Sequence, residues 1–346
     1  MVSHARRLSV VSIILAMLLF LAGDGNAGAA INHQPPWQPP PKNQNVVISN
    51  GGLSVAFNIA WGAVVVGIAD RHVAHELNIV DFHDVGRELQ VDEFLFHNAP
   101  GPQPLLINPT QAGALGHQAF AGHPHGVAVP ETGSHVVRWK ATRHTFFAVV
   151  RPLDYDTGNP THWVYTEQVH IDRHGVAHFY YRFQRHGHQI FRMSTEIPTL
   201  YSDRTDAFMY PTRIPYGRNK GMGKSTDAWR RHVRLVQGSP RWPGHNIISK
   251  GWIANIDTAN RIGIFYTTPV GLPESFGCFR GASVSDRSPL GKSNVVGNRL
   301  ICRPNEIYSI RFSVVVATPQ NGPALISSQK PAELRINGKL WRPIQH

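Results

Sequence analysis

The chain is poor in cysteine, in acidic residues and in sustained helical patterning, and each shortage excludes a class of protein. Two cysteines in 346 residues cannot build a Cys-rich zinc framework or a disulfide-dense scaffold. Asp and Glu number 22 against 34 Lys and Arg, which leaves a formal net charge of +12. The basic residues are scattered, without the Lys/Arg runs of a nucleic-acid arm, so nucleic acid is not an expected partner. After the first thirty residues no stretch keeps a helical hydrophobic period over three turns, which argues against helical bundles and alternating α/β folds. Later apolar runs are all interrupted by Gly, Pro or a charge well short of membrane-spanning length. A dinucleotide fingerprint and a nucleophile elbow are also missing. Gly217 to Ser225 ends like a phosphate-binding loop, but it lacks the preceding buried strand, the glycine spacing and a following helix.

What is present begins with an export pattern. Arg6 and Arg7 precede the apolar run Leu8 to Ala22, and Ala27-Gly28-Ala29 supplies small residues for cleavage. The run is about fifteen residues, short of the roughly twenty a membrane span needs. The expectation is a signal peptide over 1–29, a Pro-rich linker over 30–45 and one domain over 46–346, periplasmic or secreted, with no stable membrane span after cleavage. In an oxidising compartment the isolated pair Cys278 and Cys302 reads as one disulfide. The positive excess suits an acidic partner, an anionic polysaccharide or a lipid surface before nucleic acid. The 20 histidines would raise that charge further below about pH 6.5.

Strand signals then follow one another at 53–57, 62–68, 134–139, 145–150, 163–171, 177–183, 252–256, 262–267 and 307–316. Several alternate apolar with polar, Val164 to Ile171 among them, and Gly, Pro, Asn and Asp punctuate them. The pattern predicts an all-β fold, a large antiparallel β-sandwich with long loops. Pro198 to Pro243 reads as a loop-rich interruption carrying Tyr201, Tyr210, Tyr216, Trp229 and Trp242. Such a long irregular segment inside a domain is commonly functional.

One constellation carries a resemblance. Asn50-Gly51-Gly52-Leu53, Trp61-Gly62-Ala63, Asn78-Ile79-Val80 and Asp84-Val85-Gly86-Arg87-Glu88-Leu89-Gln90 are followed by Asn108-Pro109-Thr110-Gln111-Ala112-Gly113. Glu196 to Tyr201 and Gly251 to Ala254, running into Gly263 to Pro269, extend it. The set resembles secreted carbohydrate-active proteins with a galactose-mutarotase-like β-supersandwich and covers most of Val46 to Val316. The resemblance implies fold and substrate class, a polysaccharide or oligosaccharide, more than a reaction, because the superfold hosts epimerases, lyases, hydrolases and binding modules.

Candidate site residues follow from chemistry read beside that resemblance. Arg87 offers a planar fork of donors, and Gln90, Asn108 and Gln111 offer amides of the kind sugar hydroxyls use. Trp229 and Trp242 are candidate stacking platforms. Glu196 and Glu88 are the candidate carboxylates for hydrolysis. For a lyase, Arg87 or Asn108 would neutralise a uronate, and Tyr201 or His170 would take the adjacent proton. His170 near Glu167 is the alternative proton-transfer residue that the mutarotase resemblance implies. A structural ion pair of Arg87 with Glu88, and of Glu196 with Arg192 or Arg204, is the competing reading. The close pairs His72/His75, His123/His125 and His186/His188 complete no ligand set, so neither metal nor cofactor is expected. The functional expectation is a polysaccharide lyase or glycoside hydrolase acting on acidic sugars, with a non-catalytic carbohydrate-binding or envelope protein as the alternative.

Overall fold

The structure, a computed structural model, describes residues 45–73, 78, 80, 89–97, 105–108, 134–154, 160–186, 191–203, 205, 207–211, 233–237, 251–269, 278–282 and 289–340. All fall in one unit, His33–His346, and the expected leader lies outside the described residues. In chain order the first strands are β1 (Asn45–Asn50), β2 (Leu53–Asn58), β3 (Val64–Asp70), β4 (Leu89–His97), β5 (Leu105–Asn108), β6 (His135–Ala141) and β7 (Thr145–Arg151). Next come β8 (Leu153–Asp154), β9 (Trp163–Ile171), β10 (Ala177–Arg185), β11 (Phe191–Asp203), β12 (Ala207–Pro211), β13 (Val233–Gln237) and β14 (Trp252–Asp257). The last are β15 (Ile262–Thr267), β16 (Cys278–Ala282), β17 (Pro289–Cys302), β18 (Ile307–Ala317), β19 (Glu333–Ile336) and β20 (Lys339–Leu340). A short helix, α1 (Gly322–Ser327), precedes β19.

These strands make two antiparallel sheets. The nine-stranded sheet runs β1-β2-β3-β4-β11-β17-β16, with β5 on β4 and β8 on β5. The eleven-stranded sheet runs β13-β12-β14-β15-β18-β10-β9-β7-β6, with β19 on β18 and β20 on β19. The chain is therefore an all-β sandwich, as its alternation predicts. The loop-rich expectation over 198–243 is corrected in three places: the end of β11, β12 and β13 fall inside it. Among the described residues no helix is long and apolar enough to cross a membrane.

Alternation explains the packing. In β9, Trp163, Tyr165, Glu167, Val169 and Ile171 are buried, while Gln168 and His170 between them are exposed. In β10, Ala177, Phe179, Tyr181, Phe183 and Arg185 are buried in the same rhythm. The interior these residues fill is strongly aromatic. Phe57 of the nine-stranded sheet stacks on Phe146 of the other at 3.8 Å, and Phe179 on Phe312 at 4.9 Å. Such pairs add about 0.5–1.5 kcal/mol each beyond the area they bury.

Two further devices join the sheets. At one end the β1–β2 hairpin turns through Gly51 and Gly52, both with positive φ, the conformation a two-residue hairpin turn demands. A Cβ on Gly51 would stand 2.3 Å from the backbone nitrogen of Gly175, so the hairpin seats against the β9–β10 turn because no side chain intervenes. The Asn50 Nδ2 then donates to the carbonyl of Ile171 at 3.1 Å. Deeper in, a buried polar cluster bridges the sheets. Asn255 of β14 donates to Ser202 of β11 at 2.6 Å and accepts from Ser293 of β17. Tyr266 of β15 donates to Ser293 at 2.9 Å, and the Ser202 and Thr205 hydroxyls hydrogen-bond each other. Every hydroxyl and amide named there has a partner, which is what allows polar groups to sit in this interior.

The expected bond between Cys278 and Cys302 is corrected by the strand register. Cys278 of β16 lies opposite Ser293 of β17, whereas Cys302 ends β17 opposite Phe191 of β11. The two positions are separated by roughly 30 Å at about 3.3 Å per strand residue, against the 4.4–6.8 Å or so between Cα atoms that a disulfide spans.

Candidate functional site

The central strands of the nine-stranded sheet bring several predicted residues into one ribbon. Gln90 of β4 lies opposite Thr199 of β11, which in turn lies opposite Asn294 of β17. Glu196 lies opposite Asp92 of β4 on one side and Val296 of β17 on the other. Between Glu196 and Thr199 both ladders slip, because β11 inserts one extra residue. Ile197-Pro198 occupies that step, and the cause is local: Pro198 has no N–H to give a neighbouring strand, so an interior proline forces a bulge. Bulges of this kind concentrate beside active sites, where they re-aim a residue out of the regular pleat.

The opposition of Glu196 and Asp92 was not foreseen. Just beyond, Thr199 and Tyr201 alternate with Leu200 and Ser202, which face the core between the sheets. Thr199 and Tyr201 thus belong to the outer face, yet they are 0% and 7% exposed. This part of the outer face is the floor of a covered region, and the Asn255 cluster fixes it from behind through Ser202 and Ser293. Asn108 follows Ile107, the residue opposite Glu93 of β4, and so lies one strand beyond Asp92. Arg87, Glu88, Gln111, Trp229 and Trp242 lie outside the described residues.

His170 is placed elsewhere. It projects from the outer face of the eleven-stranded sheet, while Glu196 belongs to the other sheet. Glu167, three residues before it, points the opposite way into the core and is 2% exposed. The two therefore cannot act on one sugar from opposite sides. Burial pushes the Glu167 carboxyl well above its ordinary range, with a hydrogen bond to Tyr181 offsetting part of the rise. Burial, and then the neighbouring Glu167 charge, likewise raise Tyr165 and Tyr181. Glu167 is a buried core residue.

Around His170 the outer face forms a cleft of about 880 Å³ lined by residues of β6, β7, β9, β10, β18 and β19. His178 stacks beside His170 with ring centroids 6.1 Å apart. One of its ring nitrogens lies 3.2 Å from the Asp172 carboxylate and the other 3.1 Å from the Ser313 hydroxyl. Burial tends to raise the Asp172 carboxyl, but the Val176 amide, His178 and the His174 amide together carry it below its ordinary value. Among the described residues no three His, Cys, Asp or Glu side chains group closely enough to hold a metal ion.

No family model and no curated protein matches the sequence. Solved structures similar to this chain include a galactose mutarotase related enzyme from Lactobacillus acidophilus, at 9% identity over 81% of this chain and 99% of that one, with a TM-score of 0.48. An aldose epimerase homologue from C. elegans is similar at 11% identity over 80% and 99%, with a TM-score of 0.48. A polysaccharide lyase is similar at 11% identity over 86% of this chain and 42% of its own, with a TM-score of 0.43.

Proposed function

We infer that this chain is an extracytoplasmic carbohydrate-active enzyme that hydrolyses a polysaccharide, with its reaction centre on β4 and β11. The observation that carries the reading is the direct opposition of Glu196 and Asp92, one bulge away from the covered floor at Thr199 and Tyr201. Glycoside hydrolysis uses two carboxyl groups flanking the scissile bond, so an opposed acidic pair favours hydrolysis over proton abstraction by a single base. Glu196 and Asp92 then divide the roles of acid/base and nucleophile. Gln90 and Asn294, in register with Thr199, supply amides to sugar hydroxyls. Location outside the cytoplasm rests on the leader pattern over 1–29, and N-terminal sequencing that finds Met1 retained would replace cleavage by an anchor with the same domain facing the same compartment.

The test is turnover of a polysaccharide panel by purified protein with Glu196→Gln and Asp92→Asn beside the wild type. Each variant keeps side-chain shape and removes the charge. Reducing ends released by the wild type and lost in both variants, at unchanged Tm, support the assignment. Undiminished turnover in Glu196→Gln overturns it. Binding of glycans without turnover by the wild type would assign the fold to a non-catalytic carbohydrate-binding protein.

A further inference from the structure

The outward residues of the eleven-stranded sheet fall into rows because its register is regular from β7 to β19. One row reads Lys140, Phe147, Gln168, Tyr180, Arg311 and Glu333, each opposite the next across adjacent strands. A second row, two residues along the strands, runs from Arg138 through Thr166 and Arg182 to Arg335 by the same pairings. Neighbouring strands lie about 4.8 Å apart, so the first row extends for several sugar rings. Arg335 is held by Glu333 at 2.9 Å. Arg138, Lys140, Arg182 and Arg311 have no carboxylate within ion-pair distance among the described residues.

Three of these four cations are instead seated on aromatic rings. Lys140 and Arg138 stand 5.5 and 5.6 Å from the centre of the Phe147 ring, and Arg311 stands 4.9 Å from that of Tyr180. A ring positions a cation without neutralising it, so the charge remains available to a ligand and part of the ordering cost is already met. Between the cations the cleft presents the Gln168 amide and the Thr145 and Ser313 hydroxyls.

We propose that this face is a second ligand site, separate from the β4–β11 ribbon, that binds an acidic polysaccharide lengthwise across β6, β7, β9, β10 and β18. Lys140 and Arg311, set apart by Phe147, Gln168 and Tyr180, match a polymer whose anionic groups are separated by hydroxyls. Single-stranded nucleic acid requires open aromatic faces for its bases, and here Phe147 and Tyr180 are capped by cations. Insertion into a lipid surface requires exposed apolar side chains, and the large exposed ones among the described residues are Val47, Leu325 and Leu340, none of which lines this cleft.

Affinity electrophoresis of the full-length mature chain in gels containing polygalacturonate, neutral dextran or no polymer tests the proposal. Competition by a single-stranded oligonucleotide and sedimentation with phosphatidylglycerol vesicles complete it. Polygalacturonate is expected to retard the wild type, and the effect is expected to fade between about 0.05 and 0.5 M salt as screening shortens the reach of exposed charges. Dextran should not retard it. The double variant Lys140→Gln/Arg311→Gln, at two exposed positions, is expected to weaken binding roughly tenfold at unchanged Tm. Glu196→Gln is expected to bind like the wild type, which keeps failure of this site distinct from failure of the reaction centre. Equal retardation of wild type and double variant overturns the proposal, as does stronger binding to the oligonucleotide or to the vesicles.

Discussion

The two outer faces of the sandwich use the same kind of strand to opposite ends. On the eleven-stranded sheet the register from β7 to β19 is unbroken, and the cross-strand rows collect Arg138, Lys140, Arg182 and Arg311, which lack acidic partners among the described residues. On the nine-stranded sheet β11 slips against both neighbours at Ile197-Pro198, and the register opposes acid to acid at Glu196 and Asp92. A regular pleat repeats its surface every two residues, which suits an extended repeating ligand. A bulged strand breaks that repeat at one point, which suits chemistry at a single bond. One fold thus offers a long contact on one side and a local one on the other.

The largest effect expected from breaking this comparison is on turnover. Glu196→Gln should lower kcat by about 10²–10⁴-fold, the range for loss of a general acid–base group, while glycan binding on the opposite face is kept. Parallel loss of both activities would show that the two faces are one site.

A smaller effect is expected from the cluster between them. Asn255→Ala leaves the Ser202 and Ser293 hydroxyls short of a buried partner, which costs about 1–3 kcal/mol. At roughly 2–4 °C per kcal/mol for a domain of this order, calorimetry should resolve it. Turnover should suffer more than binding, because Ser202 and Ser293 belong to the strands of the reaction centre. An unchanged Tm would mean that the cluster does not brace those strands.

Glu167 sharpens the comparison from inside. Its folded pKa is raised, so above the ordinary carboxyl range, from about pH 4.3, the folded chain keeps a proton that the unfolded chain has released. Stability from this group is therefore complete below that range and falls as pH rises through it. Glu167→Gln mimics the protonated form and should match the wild-type Tm near pH 4 and exceed it at pH 7–8. Wild-type and variant curves that run parallel from pH 4 to 8 would show that the carboxyl titrates normally.

The smallest effect concerns the β9–β10 turn. Asp172 has a lowered pKa, so its contribution is present above about pH 3.9 and fades as pH falls through the folded value. Because Asp172 is partly exposed, Asp172→Asn should cost no more than about 1 kcal/mol at pH 7. Differential scanning fluorimetry should show that gap closing in acid. A gap that persists unchanged at pH 2 would trace it to packing and not to charge.

Much of the strand inventory is legible in the chain itself. The expected ranges 53–57, 145–150, 163–171, 177–183, 262–267 and 307–316 coincide with β2, β7, β9, β10, β15 and β18 to within two residues at either end. Their period-two pattern exists because one face is buried, and that pattern is local. β11 escaped because Ile197-Pro198 interrupts its alternation, and β17 because Gly291, Gly297 and several polar residues dilute its apolar content. The helix α1 escaped because six residues are too few to show a helical period.

The candidate sites divide in the same way. Composition alone determined the excess of positive charge, and local pattern determined that His170 and Gln168 alternate with buried neighbours. Which residues stand beside them was decided by tertiary structure. Lys140, Tyr180 and Arg311 meet Phe147 and Gln168 only because β18, β10, β9, β7 and β6 are neighbours, and Glu196 meets Asp92 across about a hundred residues of chain. The same long-range pairing separates Cys278 from Cys302, which sequence distance alone would join. A side chain's own preference for burial is written in the residues on either side of it, but its partner across a sheet is set by the path of the whole chain.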